Sequence, residues 1–298
     1  MSALRASGRT CVCGTIGTPG TVGRGVWHPT VARALRQAYR DQDGSAGWAA
    51  WRNYLASRGR ELFSSGAWDF EVRRDDQLAE ARTAWEELLR LSDVEADYLE
   101  LELRLTAGLK VQRHILLAHE DRFLLLADAL VGQQPARLDY RGCLPLGPGI
   151  EFRPAGEGRE GFLVDSGGRR RALAIPLALP EWRSDRGGGS LRRTDRGLEL
   201  RQSARGRALL APLWLDLKPR RMSRPLTWRQ LTVAEHFAAQ PPEVAAGYRV
   251  RVGKEQWLVY RALASRGNRT LLGHNLVTET LVARFRPDGQ VEPLVEIE

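Results

Sequence analysis

The sequence holds only three cysteines, an odd and small number that gives no disulfide framework. Cys11 and Cys13 are separated by one residue, which is too close for an ordinary zinc knuckle, and no second pair follows them. Cys143 stands alone in the middle of the chain. The cysteine content therefore predicts neither a disulfide-stabilised fold nor a metal site.

Lysine is almost absent as well. The chain has three lysines, and its other basic residues are arginines spread along the whole length. The net charge of +9 is typical of proteins that bind nucleic acid or another polyanion. An even spread of arginine is more typical of the coding bias of a GC-rich bacterial genome, because a phosphate-binding surface clusters its charges. Nucleic acid is therefore not the expected partner.

Long apolar runs are missing too. No stretch approaches the length that crosses a bilayer, and residues 1–28 lack the apolar core of a secretion signal. The stretch "GTIGTPGTVGRG" lacks the Gly-Lys-Ser/Thr ending of a phosphate loop, and neither Gly-x-Ser-x-Gly nor His-Glu-x-x-His occurs. We expect a flexible segment over 1–28, no cofactor, no transmembrane segment and, without a signal, a cytoplasmic location.

Residues 29–92 carry apolar residues at helical spacing in three segments, "TVARALRQAYRDQ", "AGWAAWRNYLASRG" and "DDQLAEARTAWEELLRLS". The third segment begins on acidic residues, which suit the N-terminus of a helix. Trp48, Trp51 and Trp85 either pack against a neighbouring layer or form a binding platform. The pattern predicts a short α-helical segment over 29–92 that packs on a sheet.

After Ser92 the apolar period changes from helical to two. "YLELELRLT" alternates leucine with charged residues, as a half-buried strand does. Turn residues in "SGG", "GK" and "RPDG" separate further strand pairs, and "ARGR" divides the apolar pattern of residues 198–217 into two strands. Roughly a dozen short strands without βαβ alternation predict a mainly β fold, an antiparallel, supersandwich-like β-sandwich over 93–298.

The stretch "RHILLAHEDRFLLLADAL" at residues 113–130 places two histidines near three carboxylates. Its polar residues 119–122 suit the turn of a hairpin between two apolar strands. His114 and His119 then lie on opposite faces and cannot share a metal, since side chains alternate along a strand. His114 is a candidate general base, with a hydrogen-bonded structural role as the alternative. Asp128 lies inside an apolar run and needs a partner, most simply an arginine on a neighbouring strand.

Residues 215–233 form the densest basic segment of the chain. The candidate ligand-binding residues in it are Arg220, Arg221, Arg224 and Trp228. Basic and aromatic residues together grip anionic polymers, whether nucleic acid or an acidic sugar chain. The alternative is a solvated loop in which one arginine covers a tryptophan.

A second polar group lies within residues 268–279. Its candidate ligand-binding residues are Asn268, Arg269, His274, Asn275 and Glu279. Amides and carboxylates that gather at strand ends can bond the hydroxyl groups of a sugar ring. We therefore expect a sugar site here if the fold brings these side chains to one face.

"SDVEADYLELELRL" followed by "VQRHILLAHEDRFLLLADAL" resembles the start of the C-terminal β-sandwich region of heparinase II/III-like proteins. In that family a basic residue precedes an aliphatic strand, a short polar tip and a second aliphatic strand; Arg113, Ile115–Leu117, residues 119–122 and Phe123–Leu130 match these parts. The resemblance covers residues 90–298, and it implies lyase chemistry, in which a proton is abstracted beside a uronate carboxylate before elimination. The family also carries a large helical toroid, for which this chain has too few helical residues.

Three functions are compatible with these patterns. The first is a non-catalytic β-sandwich protein, related to the heparinase II/III-like carbohydrate-active proteins, that contacts a glycan or is structural; its expected partner is an acidic polysaccharide. The second is a minimal polysaccharide lyase acting on uronate-containing glycans, with His114 as its base. The third is a basic protein that binds a polyanion or nucleic acid. The oligomeric state is not indicated.

Overall fold

The computed structural model describes residues 2–6, 9–13, 62–64, 67–185 and 187–298. Its elements are almost all strands, with a 3₁₀ turn at Pro219–Arg221. In chain order the strands are β1 (Ser2–Ala6), β2 (Arg9–Cys13), β3 (Asp69–Arg74), β4 (Gln77–Leu78), β5 (Glu86–Ser92), β6 (Ala96–Arg104), β7 (Leu109–Ala118), β8 (Phe123–Leu144), β9 (Glu151–Pro154), β10 (Gly161–Val164), β11 (Arg170–Pro176), β12 (Gly189–Thr194), β13 (Gly197–Asp216), β14 (Leu226–Leu231), β15 (Val233–Glu235), β16 (Ala238–Ala239), β17 (Ala245–Val252), β18 (Glu255–Ala262), β19 (Arg269–Leu271), β20 (His274–Leu276), β21 (Thr280–Phe285) and β22 (Val291–Ile297).

The described strands form three antiparallel sheets, so the predicted mainly β, antiparallel fold class is confirmed. An eleven-stranded sheet has the order β5-β6-β7-β8-β13-β11-β10-β9, with β12 beside β13, β3 beside β8 and β4 beside β3. A seven-stranded sheet has the order β1-β2-β22-β21-β18-β17-β14, and a four-stranded sheet the order β16-β15-β19-β20. Among the described residues, no helix is long and apolar enough to cross a membrane.

The long strands β8 and β13 pair with each other and bend together. Gln202 Nε2 donates to the carbonyl oxygen of Leu210 at 2.9 Å. Residues eight apart in a straight strand would be about 26 Å apart, so β13 turns back on itself between them. The register shifts at Gly206, within the "ARGR" that was expected to separate two strands. The prediction of two strands was wrong, because a bulged strand keeps its pairing through the bend.

The bend folds the large sheet over, so that its inner half is buried on both faces. One face packs against the folded-over half, and the other packs against the seven-stranded sheet. Alternate residues of β7 divide between the two cores, Ile115 and Leu117 in the first and Leu116 in the second. A strand that is buried on both faces has a continuous apolar sequence, which explains the runs on either side of residues 119–122.

The turn at residues 119–122 between β7 and β8 is confirmed as a hairpin turn, but its Asp121 is buried. Asp121 accepts hydrogen bonds from Trp257 Nε1 at 3.0 Å and from Arg284 Nε at 2.8 Å. Arg284 also donates to Glu95 at 2.9 Å. Polar residues that suit a turn therefore connect the large sheet to β18 and β21 of the seven-stranded sheet.

The helical prediction for the segment "DDQLAEARTAWEELLRLS" was wrong, because its last seven residues form β5 and pair with β6. A register shift between Glu87 and Leu89 adds one residue to this strand. The extra residue breaks the period of two, so Trp85, Leu88 and Leu89 acquire a spacing that resembles that of a helix. The first two predicted helices lie outside the described residues.

The predicted flexible segment, residues 1–28, contains β1 and β2, and β2 pairs with β22 through Cys11 and Ile297. Residues 14–28 lie outside the described part of the chain. The predicted domain boundaries at residues 28 and 92 stay predictions.

Candidate functional site

His114, the predicted general base, lies between the large sheet and the seven-stranded sheet with 4% of its surface exposed. Its Nδ1 is 2.7 Å from the hydroxyl oxygen of Tyr98 on β6. Burial and the nearby charge of Glu100 hold the pKa of Tyr98 well above its usual range, so the phenol stays protonated. The imidazole is hydrogen-bonded inside the molecule, which is the structural alternative considered for it.

Arg261 on β18 joins this group from the opposite sheet. Its Nη2 contacts Glu100 at 3.3 Å, Gln112 at 2.8 Å and Glu279 at 2.9 Å, and its Nη1 donates to Thr280. A guanidinium that is 3% exposed is thus neutralised by two carboxylates. Glu279, which was predicted to line a sugar site, belongs to this internal network together with His114.

Asp128 has the partner predicted for it. Arg113 on the neighbouring strand donates to both of its carboxylate oxygens at 2.8 Å, and the Tyr140 hydroxyl donates to one of them at 2.7 Å. The guanidinium carbon lies 3.8 Å from the centre of the Trp68 ring and 4.7 Å from that of Trp85. Trp85 therefore packs against the buried guanidinium of Arg113 inside the protein. Of its two predicted roles, internal packing and a binding platform, this contact agrees with the first.

The predicted basic segment, residues 215–233, does not form one surface. Arg221 is 2% exposed and pairs with Asp216 at 2.8 Å, and its guanidinium lies 4.7 Å from the Trp257 ring. Trp228 is also 2% exposed and donates to the carbonyl of Leu179 at 3.0 Å. Arg221 packs inside the protein because the 3₁₀ turn brings it to Asp216, and Trp228 does so because a strand side chain at its position points to the core.

Arg220 and Arg224 from the same segment face solvent. Arg224 lies beside Gly253, where an added Cβ would meet its side chain at 3.5 Å. Arg220 lies in the 3₁₀ turn and Arg224 between that turn and β14, and these two members of the predicted basic set are open to a ligand.

In the second predicted group, Arg269 is buried and held from three sides. Its guanidinium pairs with Glu235 at 3.2 Å, contacts the Tyr260 hydroxyl at 3.3 Å and donates to the Ser265 carbonyl at 2.7 Å. These contacts join the four-stranded sheet to β18. Arg269 therefore has its donors occupied by the protein itself.

The remaining members of that group diverge. His274 packs edge-on against Phe285 with the ring centres 6.3 Å apart, and Asn275 accepts a hydrogen bond from Thr270 at 3.3 Å. Asn268 is exposed at the start of β19, at the other end of this short hairpin. With Glu279 in the Arg261 network, the five residues do not converge on one face.

The sequence analysis did not single out Trp182, which is 47% exposed on the loop before β12. The Arg159 guanidinium clamps this loop by donating to the carbonyls of Trp182 at 3.3 Å, Asp185 at 2.7 Å and Gly189 at 3.1 Å. Backbone hydrogen bonds between Arg183 and the carbonyl of Glu157 at 2.9 Å add to the clamp. The backbone that carries the Trp182 indole is thereby held in place.

An open depression adjoins this ring, lined by Gly156, Glu157, Trp182, Arg183 and Ser184. It offers an apolar plane beside a carboxylate, a guanidinium and a hydroxyl. That combination suits a sugar, which presents C–H faces and hydroxyl edges. A tryptophan in a stretch otherwise made of glycine, serine and charged residues was the sequence signal for it.

Two arginines lie directly opposite each other on the outer side of the seven-stranded sheet, Arg229 on β14 and Arg249 on β17. Within the described residues neither forms an ion pair with a carboxylate. Like charges in this arrangement repel each other.

Elsewhere three arginines surround one carboxylate, that of Glu199. Burial raises the pKa of Glu199, but the hydrogen bonds from the three arginines outweigh this and lower it.

The arginine pair lies beside the Trp182 loop. Glu181 precedes the tryptophan, and burial raises its pKa while the charge of Arg229 opposes that rise. Arg251 lies two residues after Arg249 on β17, opposite Thr227, and therefore faces the same side of the sheet. β14 lies beside the Trp182 loop, since Trp228 donates to the carbonyl of Leu179 and the charge of Arg229 acts on Glu181. We name the ring, the depression and the arginine pair together the Trp182 surface.

Among the described residues, no group of three histidine, cysteine, aspartate or glutamate side chains is placed to hold a metal ion. Cys143 is a buried thiol whose pKa is raised by that burial.

The sequence matches no protein-family model and no curated protein. Among solved structures it is similar to the heparan sulfate lyase HepC from Pedobacter heparinus, with 12% identity and a TM-score of 0.39 over 65% of this chain. It is also similar to a heparinase III, with 12% identity and a TM-score of 0.40 over 64% of this chain. The similarity spans only 30% and 29% of those two structures. Similarity of this size indicates neither a shared family nor a shared activity.

Proposed function

We propose that this chain is a non-catalytic β-sandwich protein that contacts an acidic glycan through the Trp182 surface. The observation that carries the proposal is the exposed indole of Trp182, on a backbone held by Arg159. A large apolar ring in solvent gains nothing for the fold, whereas a sugar that stacks on it would remove the ring from water. Because the backbone at Trp182 is already held, binding costs little additional backbone entropy.

The arginine pair supports an acidic ligand. Arg229 and Arg249 face each other, and among the described residues neither is within ion-pair distance of a carboxylate, although the charge of Arg229 acts on Glu181. A carboxylate or sulfate between them would accept charge-assisted hydrogen bonds from both guanidiniums and relieve their repulsion. The ring would then provide affinity for sugars in general and the arginines the preference for acidic ones.

The experiment compares a uronate-containing polysaccharide with a neutral one by calorimetric titration. Trp182→Ala should weaken binding of either polysaccharide about tenfold or more, because the stacking plane is lost. Replacing Arg229 and Arg249 by glutamine should weaken only the acidic one and remove most of its salt dependence. Arg193→Gln is the matched control, since this exposed arginine lies 3.7 Å from Glu151 and away from the Trp182 surface.

If Trp182→Ala bound both polysaccharides as the parent protein does, the proposal would be wrong. A salt-dependent preference for DNA over both polysaccharides would favour the polyanion alternative instead. The lyase alternative predicts an unsaturated product that absorbs in the near ultraviolet when a uronate chain is added. Formation of that product, abolished by His114→Ala, would contradict a non-catalytic role and keep His114 as a base.

A further inference from the structure

The turn between β15 and β16 exposes an aromatic side chain completely. It consists of His236 and Phe237, whose φ angles are 49° and 63°, and Phe237 has a relative exposure of 109%. Left-handed backbone suits glycine or asparagine, and a bulky residue there is an outlier. Phe237 thus strains its backbone and packs against nothing in the described part of the chain. Strain at such a position is a sign that the residue acts outside the fold.

Other exposed groups gather at the same end of the four-stranded sheet. Glu235, Arg269 and Leu276 are paired across three neighbouring strands, so the residues beyond them share one end. Val277, which follows Leu276, is 57% exposed. Gly267 lies directly against Glu235, because a Cβ on it would be 1.9 Å from the Glu235 carboxylate oxygen.

An exposed arginine brings a positive charge to this end. Arg266 is exposed in the loop that leads to Gly267, and His236 is exposed in the turn itself. The carboxylate of Glu235 is already paired with Arg269 at 3.2 Å. The whole chain carries a net charge of +9. The exposed side chains of Phe237 and Val277 therefore lie at an end of the sheet where the carboxylate of Glu235 is neutralised by Arg269.

We propose that this tip, formed by His236, Phe237, Arg266 and Val277, inserts its apolar side chains into the surface of a lipid bilayer that contains anionic lipids. A convex two-residue turn can enter the boundary between head groups and acyl chains, where an aromatic ring leaves water. Arginine beside it gains from the negative surface potential of the membrane. A bilayer requires no complementary pocket, and this end of the sheet supplies exposed apolar side chains beside one arginine.

Sedimentation with vesicles tests the proposal, using phosphatidylcholine with and without phosphatidylserine. The parent protein should bind the mixed vesicles. Phe237→Gly should lower the partition coefficient about tenfold, since a buried phenyl ring is the main apolar contribution. Arg266→Gln should lower it about fivefold for the mixed vesicles only, because the neutral vesicles lack the surface potential.

Leu272→Gly is the matched control. Leu272 also has a left-handed backbone, with φ of 50°, and is 41% exposed, but it lies in the turn at the opposite end of the same sheet. Both glycine variants should raise the unfolding temperature, because both relieve backbone strain. Only Phe237→Gly should release the protein from vesicles.

The proposal is overturned if the parent protein stays in the supernatant with both kinds of vesicle. That result is expected if Phe237 binds a pocket of another protein and not a bilayer. It is also overturned if Phe237→Gly sediments as the parent protein does. Because the tip is distinct from the Trp182 surface, glycan titration of the same variants reports on the proposed function separately.

Discussion

The buried pair of Arg113 and Asp128 allows a quantitative prediction of stability. Asp128 is fully buried, the Arg113 side chain is 7% exposed, and two hydrogen bonds of 2.8 Å join them. Replacing one member leaves the other charge in the core without its partner. We expect Arg113→Met and Asp128→Leu each to lower the free energy of unfolding by about 3–5 kcal/mol.

The double variant with both replacements should cost much less than the sum of the two single ones. With both charges gone, the Tyr140 hydroxyl and the Trp68 carbonyl lose a partner, but no charge remains buried without its counterpart. Replacing a whole buried ion pair by apolar side chains is often neutral. Tyr140→Phe removes only one hydrogen bond to the carboxylate at 2.7 Å, so we expect about 1.5–3 kcal/mol.

Denaturation by guanidinium chloride, followed by tryptophan fluorescence, measures these values. If the two single costs simply added in the double variant, the two side chains would be energetically independent. That result would refute the reasoning, whatever the size of each cost.

Two further variants test other parts of the fold. Burial lowers the pKa of His119, but the hydrogen bond and charge of Asp97 outweigh it and leave the pKa above its usual value. A histidine whose pKa is raised on folding stabilises the folded protein through its protonated form. This stabilisation is fully present below the pKa of the unfolded state, and it is lost as the pH rises through the pKa of the folded state. His119→Gln should therefore cost more stability at about pH 5.5 than at about pH 9, and equal losses in chemical denaturation would contradict this. Gly197→Ala should cost about 3 kcal/mol or more, since its φ is +135° and a Cβ would lie 2.0 Å from the Leu144 carbonyl oxygen. Gly168→Ala, at φ of +76° with open space around it, should cost only about 1–2 kcal/mol in the same denaturation experiment, and a similar loss for both would show that the clash is relieved.

Period-two patterns and turn residues were sufficient to predict the mainly β class and several hairpins. The "GK" and "RPDG" turns connect β17 to β18 and β21 to β22, as expected. Burial of a carboxylate in an apolar run was sufficient to predict an arginine for Asp128. These features are local, or they follow from the high free energy of an unpaired buried charge.

Other features depend on information that the local pattern does not hold. The bulge in β5 hides its period, so a strand looked like a helix. Whether Trp228 is buried and Trp182 exposed depends on which side of a sheet or loop each occupies. Arg229 lies opposite Arg249 because of the register between β14 and β17. These two strands are separated along the chain by β15 and β16, and no local pattern encodes their register.

The contacts of the turn at residues 119–122 have a consequence for synthesis of the chain. Asp121 is joined to Arg284, 163 residues later. At ribosomal rates of 5–20 residues per second, roughly 8–33 s pass between the two residues. Throughout that time the seven-stranded sheet lacks its last strands, so its cover over the apolar face of β7 and β8 is incomplete. The nascent protein should therefore depend on chaperones until β21 emerges, and slow translation of the last strands would promote aggregation.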